Sequence, residues 1–326
     1  MITTSKSPKD LQSNLTLDRK IPTFIRILSK AAPFFLSAAF LLSGFFAVFA
    51  PLPILFSLYR IGWWAGILGI LTNGAIVRLA GGVELAQLYV WIVTPLFFGF
   101  WICALRPNLR LEAKVYLAWF LQMLFFIAAI AIYAKTTGVS PLTEAQNALT
   151  QFLDIVSQKP GASEQILSGM EPDEWKKATL RTLPVTFSLS VLVLTFANFY
   201  LMIGLNPRGK FSRLGLTRKA VLDWKMPEWL IWPMILLWVG ALFGEKIAEG
   251  LFSEVCLGGL KLAAAGYGIQ GVAILSAQLD RWKTFGFFRS FIFIMVLLFM
   301  MPLVLSVGFF DQWFDLRAKF RQSNTE

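Results

Sequence analysis

The sequence predicts an all-α polytopic integral membrane protein, a helical bundle of eight spans plus one short or re-entrant helix. Three observations carry that fold class. Long apolar runs recur along most of the chain, from residues 31–50 to residues 287–310, and a bilayer core about 30 Å thick needs roughly 20 apolar residues as a helix. Of 326 residues, 56% are hydrophobic and 15% charged, where a soluble domain carries about 25% charge; the mean hydropathy is +0.64. The net charge of +11 gathers between the apolar runs. There it reads as a topology signal, so no nucleic-acid partner is expected.

The elements follow in order. Residues 1–30 form a polar, basic tail in which 21–30 (IPTFIRILSK) alternates apolar and basic residues, as in a short amphipathic helix at the interface. The tail is too long for the basic segment of a signal peptide, so none is expected to be cleaved. Residues 31–50 make the first span. Pro51 and Pro53 break it, since neither donates a backbone hydrogen bond. The apolar stretch that follows is short, and Arg60, Gly62, Trp63 and Trp64 suit an interfacial turn. Further spans are expected at 64–80, 85–105, 115–134, 183–205, 229–243, 251–277 and 287–310. Between the third and fourth of these lies a hydrophilic insert, 135–180, with two amphipathic stretches, 141–157 and 162–177, separated by Lys159, Pro160 and Gly161.

Charge then sets orientation. Residues 1–30 hold six basic and two acidic residues, 206–227 six basic against one acidic, and 135–177 four basic against six acidic. The positive-inside rule places the tail, the loop 106–114 and the loop 206–227 in the cytoplasm and the insert outside. This needs the short segment 51–59 to count as a crossing, giving nine and an outer C-terminus. If that segment is re-entrant there are eight. The resulting organisation is a 1–30 cytoplasmic tail, a 31–205 membrane core of six helices with the outer insert, a 206–227 basic cytoplasmic loop, and 228–326 as C-terminal membrane helices with a short tail.

Chemistry is sparse. There is no histidine, which removes the commonest general base and metal ligand. Cys103 and Cys256 lie in apolar segments as packing residues, and no Walker, GxSxG or HExxH motif occurs. No enzymatic activity, catalytic residue, cofactor or metal is therefore expected. Lys261 stands out, about ten residues into the span 251–277. A lysine at such depth costs roughly 2.5–3.5 kcal/mol and should face the bundle interior with a partner. Glu254 lies two turns away on the same face, with Gln270 on the other side in sequence. Lys261 is either a counter-charge for a solute or one half of a structural pair. Asn73 and Gln87, with Arg78 and Glu84, cluster in sequence around Gly81 and Gly82 and either line the mouth of a cavity or form an ordinary interfacial turn. Gln122 and Asn198 are expected to bond across helices. Ala39, Ser43 and Ala47 recur every four residues and, like Gly62 with Gly66 and Gly240 with Gly244, allow close helix approach. Asp311 and Asp315 lie one helical turn apart among Trp313, Phe314 and Leu316, and either pair to bind a cation or exchange a proton or belong to an anchoring helix end.

Two passages carry a resemblance. Gly268-Ile269-Gln270-Gly271-Val272-Ala273-Ile274 and Asp311-Gln312-Trp313-Phe314-Asp315-Leu316-Arg317, with the Pro-led segment 51–66, resemble the YybS-like family of predicted bacterial membrane proteins. That family is similar in turn to the substrate-binding S components of energy-coupling-factor vitamin transporters. The resemblance implies an S-component-like first six helices. It implies a bacterial inner-membrane location with a cytoplasmic N-terminus, and docking of a membrane coupling protein or ATPase complex on Ala39, Ser43 and Ala47. The chain departs from S components in its further spans, its large insert and its lack of a vitamin-site motif. The expected function is binding of a small solute of unknown identity, with Lys261, Glu254, Asn73, Gln87 and Gln270 as candidate cavity residues, or a transporter-like subunit. The alternative is a non-transporting scaffold. Membrane lipid is the expected surrounding partner.

Overall fold

Proline and glycine set most of the breaks in this chain, and the computed structural model shows what each break does. It describes residues 31–157, 171–204, 216–244, 251–282, 284 and 286–316, and every regular element among them is helical. The described residues fall into two compact units that divide between Phe97 and Phe98.

In the first unit, α1 (Pro33–Leu42) carries proline in its first turn, where no N–H is needed. It stops after 10 residues, about 15 Å. Gly44 takes φ +68°, and the Ser43 hydroxyl donates to Phe40 O while accepting from Phe46 N–H. The expected span 31–50 is therefore cut in two, because a left-handed glycine and a serine that satisfies the freed backbone form a stop. A short 3-10 turn (Ala47–Phe49) leads into α2 (Pro51–Arg60), a 10-residue helix that is buried along most of its length. Gly62, at φ +133°, ends it.

The next helix, α3 (Trp63–Leu105), is 43 residues long, but Gly82 inside it has φ 87° and ψ 179°. A Cβ on Gly66 would overlap the Phe97 ring, and one on Gly74 would touch Tyr89. Gly66 and Phe97 would stand about 46 Å apart in a straight helix. The chain thus folds back at Gly82 into an antiparallel hairpin with legs of about 19 and 23 residues, roughly 28 and 34 Å. This is the break expected between 64–80 and 85–105. Buried polar groups hold α1 against the hairpin. The Ala38 N–H donates to Asn73 Oδ1 (2.8 Å), Asn73 Nδ2 donates to Gly69 O and Pro33 O, and Ser37 bonds Ala50 O and the Tyr89 hydroxyl.

The second unit is built on antiparallel packing of α4 (Leu111–Thr137) and α6 (Pro172–Gly204). Trp119 Nε1 donates to Ser188 O, Gln122 Nε2 to Thr195 Oγ1 (2.8 Å), and Phe126 meets Phe187 edge to face. Asn198 Nδ2 instead bonds Leu194 O of its own helix. The expected amphipathic stretch 141–157 is α5 (Pro141–Ser157), whose Phe152 stacks on Trp175. The second stretch, 162–177, lies partly outside the described residues. Its end, from Pro172, runs unbroken into the membrane span. That 33-residue helix is about 50 Å long, too long for the bilayer alone.

A five-residue helix α7 (Arg218–Leu222) precedes α8 (Ile231–Phe243), and α9 (Leu251–Arg281) runs antiparallel to α8. Gly240 sits on Cys256 and Gly244 on the Ser253 backbone, so the glycine pair read from sequence is a packing ridge. Beyond it, α10 (Gly286–Phe299) and α11 (Met301–Phe314) meet at 93°. The expected continuous span 287–310 is bent at Met300. Pro302 cannot donate to the preceding turn, and the chain restarts as a new helix there. Along α9 and α11 the two backbones touch: a Cβ on Gly271 would meet Val304 O and one on Gly308 would meet Tyr267 O.

By length and composition, four described helices can cross a membrane, Trp63–Leu105, Leu111–Thr137, Pro172–Gly204 and Phe252–Arg281, or five if the bent pair counts as one span. The first of these contains the hairpin, and α1, α2 and α8 are short.

The hairpin yields a direct test. Gly66→Ala should destabilise the protein by about 1–3 kcal/mol, because the new methyl would overlap the ring of the fully buried Phe97. Thermal unfolding in detergent measures it, and Phe97→Leu added to Gly66→Ala should restore part of the loss. Unchanged melting of Gly66→Ala would contradict the folded-back geometry.

Candidate functional site

Among the described residues of the second unit, the chain makes an irregular excursion into its own bundle at 223–230, and the cavity forms around it. Three backbone bonds hold that excursion. Lys225 N–H donates to Glu112 Oε1 (2.8 Å), Met226 N–H donates to Gln270 Oε1 (2.8 Å), and Gln312 Nε2 donates to Met226 O (3.2 Å). Gln270 uses its amide again, donating from Nε2 to Asp311 Oδ2 (3.0 Å). Gln270, Asp311, Gln312 and Met226 are all buried. Each satisfied group avoids the several kcal/mol that an unmatched amide costs in an apolar interior.

Because Met226 is pinned at both its N–H and its C=O, the following Pro227 turns the chain into the 3-10 turn Glu228–Leu230 and then α8. The space left between α4, α8 and α9 is a cavity of about 480 Å³, in the roughly 300–1,000 Å³ range of small-molecule sites. Its walls are Tyr116 and Trp119 of α4, Leu230 to Leu237 around α8, and Gly259, Leu262 and Ala263 of α9. Arg110, Glu112 and Lys225 stand at one end. From Arg110 to Trp119 the cavity follows α4 for nine residues, about 14 Å. It is charged at one end and apolar along its length.

The rim charges are only loosely engaged. Arg110 lies 3.5 Å from Glu112 with its side chain 72% exposed, and Lys225 Nζ is 3.2 Å from an exposed Glu228. Surface pairs of this kind contribute about 0–1 kcal/mol, so both cations can turn to another anion. Glu112 itself is buried and occupied by the Lys225 N–H. At the opposite end of α9, Arg181 pairs with Glu254 (3.6 Å), while near its C-terminus Asp280 gathers Arg218 and Arg289.

The sequence candidates separate. Asn73 and Gln87 belong to the first unit, and Lys261, Glu254 and Gln270 to the second. Asn73 is spent on the α1 backbone, and Gln87 is exposed on the hairpin's second leg. Lys261 is exposed rather than turned inward, and Glu254 pairs with Arg181 instead of it. Lys261 sits about 10 Å along α9 from Glu254, so its stem can lie along apolar surface with the ammonium reaching toward the helix end. Gln270 is buried and central, but as a backbone clamp. Ala39, Ser43 and Ala47 do not form one face. Ser43 caps α1, and Ala47 lies beyond the Gly44 turn. Asp311 is buried while Asp315, at φ +40°, is exposed, so the two carboxylates do not pair; Arg317 lies outside the described residues. The cavity residues come from three separate segments, so no local pattern gathers them; the one local signal is the run Trp224-Lys225-Met226-Pro227-Glu228-Trp229, where two tryptophans and a proline interrupt a basic loop.

These helices, with large apolar side chains such as Leu71, Trp232 and Leu236 exposed along them, define a multi-pass helical membrane protein. The chain belongs to the DUF2232 family of predicted membrane proteins, a family of unknown function whose model matches residues 31–312. The match runs from α1 through Gln312 and so takes in the cavity and its clamp. No curated protein and no solved structure matches the chain.

The clamp can be checked by stability. Gln270→Leu strands the Met226 N–H and removes a donor from Asp311, and it should lower stability by about 1–3 kcal/mol per stranded group. Gln87→Ala, at an exposed site, should stay within about 0.5 kcal/mol of the parent. Equal melting temperatures for the two variants would remove the clamp from the account.

Proposed function

We propose that this protein binds a small ligand within the membrane, as a transporter-like subunit without catalytic activity of its own. The cavity of the second unit carries this reading. It has the volume of a ligand site, one polar end, and a rim whose backbone is held in place before any ligand arrives, which lowers the ordering cost of binding. A polar solute cavity built from Lys261, Asn73 and Gln87 is not part of the proposal, since those residues point to other tasks.

The orientation proposed is cytoplasmic for the rim, in a bacterial inner membrane, with the N-terminus on the same side. The loops 106–114 and 206–227 are the basic ones, and the Glu112–Lys225 bond brings them to one end of the unit, as the positive-inside rule expects of two cytoplasmic loops. A coupling protein or ATPase complex remains a proposed partner. Its docking on Ala39, Ser43 and Ala47 loses support, because those residues share no helix face.

One observation favours the second reading, a membrane scaffold. Lys261 is exposed in the stretch 255–269 of α9, where it is the one charged residue, and intramembrane charges tend to pair with one another. A partner helix with a carboxylate at that depth would satisfy it. Lys261→Glu should then dissociate a native-membrane complex on blue native gels while Lys261→Met only weakens it. If both variants migrate like the parent, the scaffold reading fails.

The ligand reading is tested by thermal shift on purified protein. A ligand at 100 times its Kd stabilises by about 2.7 kcal/mol. Ala263→Phe fills the cavity and should abolish the shift, and Leu262→Trp serves where Ala263→Phe lowers the basal melting temperature. A ligand shift that survives both variants places binding elsewhere.

A further inference from the structure

We propose that the cavity's occupant is a membrane phospholipid. One acyl chain lies in the slot between α4, α8 and α9, and the phosphate sits at Arg110 and Lys225. This rests on the ligand-binding reading above and names the ligand class for it. The argument starts from polarity. Polar groups line one end of the cavity and apolar side chains the rest. A water-soluble metabolite would bury polar atoms against Trp119, Leu237 and Leu262 with nothing to bond them. An alkyl chain has no such atoms. The slot also runs along the helices, from Arg110 to Trp119 beside the first turns of α4 and from Trp229 to Leu237 along the 3-10 turn and the first turns of α8. That is the direction in which a lipid chain stands in a bilayer.

The head group follows from the rim. Arg110 and Lys225 are the rim cations: Arg110 is largely exposed beside the buried Glu112, and Lys225 meets the exposed Glu228. A phosphate offers several acceptor oxygens to both, and charge-assisted bonds of that kind are shorter and stronger than neutral ones. The carboxylate at this end, Glu112, accepts the Lys225 N–H and lies 3.5 Å from the Arg110 guanidinium, so two cations line this end of the slot against one carboxylate. Entry is lateral. Trp229, Trp232 and Leu236 leave the α8 side apolar and exposed, and tryptophans of this kind settle at the level of lipid head groups.

The test uses the full chain, delipidated in detergent, with binding read from Trp fluorescence and from native mass spectrometry. The probes are phosphatidylglycerol, diacylglycerol with the same chains, and inorganic phosphate. Phosphatidylglycerol should bind roughly tenfold or more tightly than diacylglycerol, and Arg110→Gln with Lys225→Gln should remove most of that preference. Lys225→Gln keeps the backbone bond to Glu112, so the fold is retained and its melting temperature verifies this. Inorganic phosphate alone should neither bind detectably nor compete at millimolar concentration. Equal binding of both lipids, or a preference that survives the double substitution, overturns the head-group assignment while leaving a cavity that binds chains. Competition by inorganic phosphate overturns the lipid and points to a soluble anion. Phosphatidylglycerol binding unaffected by Ala263→Phe overturns the cavity as the site, and with it the ligand-binding reading.

Discussion

Wherever this chain bends inside the bilayer, the backbone groups freed by the bend must find partners within the protein, because hydrocarbon supplies none. That constraint accounts for several of the buried polar side chains. Asn73 takes the Ala38 N–H and reaches Pro33 O where α1 begins. Ser37 donates to Ala50 O where the short 3-10 turn meets α2. Ser43 bridges the Gly44 stop, and Gln270 with Gln312 holds both sides of Met226 at the entry to α8. Ser43, Gln270 and Gln312 each serve an interruption in the backbone, while Asn73 and Ser37 tie the body of α1 to neighbouring segments. Short helices such as α2 can then lie in the membrane without stranded amides, and glycines at Gly66, Gly240, Gly271 and Gly308 let the neighbouring helices close on the gaps.

The same constraint decides how much of the fold is legible in sequence. The hairpin at Gly82 reads well, because two glycines beside a glutamate sit between two span-length apolar runs. The start of α2 reads well from Pro51 and Pro53, and α4, α6 and α9 from hydropathy alone. The end of α1 does not. Ser43 and Gly44 are common inside membrane helices, and only the left-handed φ of Gly44 marks them as a stop. The bend at Met300 hides similarly behind an uninterrupted apolar run in which Pro302 is the sole hint. Hydropathy registers where a chain meets lipid but not whether it does so as one helix or two. A count of spans from apolar length therefore exceeds the four or five long helices even when the two legs of the Gly82 hairpin are taken separately.

The site was less legible for a different physical reason. A charged or amide side chain in an apolar run draws notice in proportion to its desolvation cost. By that measure Lys261, Glu254, Asn73 and Gln270 are the outstanding residues. Yet a costly residue has two ways to lower its cost. It can serve a ligand, or it can bond a neighbour. Glu254 with Arg181 and Asn73 with the α1 backbone take the second way, while Lys261, exposed on α9, has a long stem that can carry its charge toward the helix end. The cavity's own residues, such as Trp119, Leu237 and Ala263, are apolar and thus cost nothing in lipid. They carry no mark in the sequence beyond ordinary hydropathy.

Structural clamp and cavity are nevertheless one construction. Gln270 and Gln312 hold Met226, Glu112 holds Lys225, and those two adjacent residues set where Pro227 sends the chain and how far α8 stands from α4. Had 223–230 packed as a regular helix, its backbone would have satisfied itself and no side-chain amides would have been needed. It would also have presented a continuous side-chain surface to α4 and α9, with no gap between them. The irregular backbone is what opens the space, and the buried amides are what make irregular backbone tolerable there. Among membrane proteins such backbone persists where it is buried in protein or lines a cavity, and here it does both. The polar residues that sequence reasoning singled out as candidates for binding act one step behind it: Gln270 keeps the cavity's edge in place and leaves contact with the occupant to apolar walls and two surface cations.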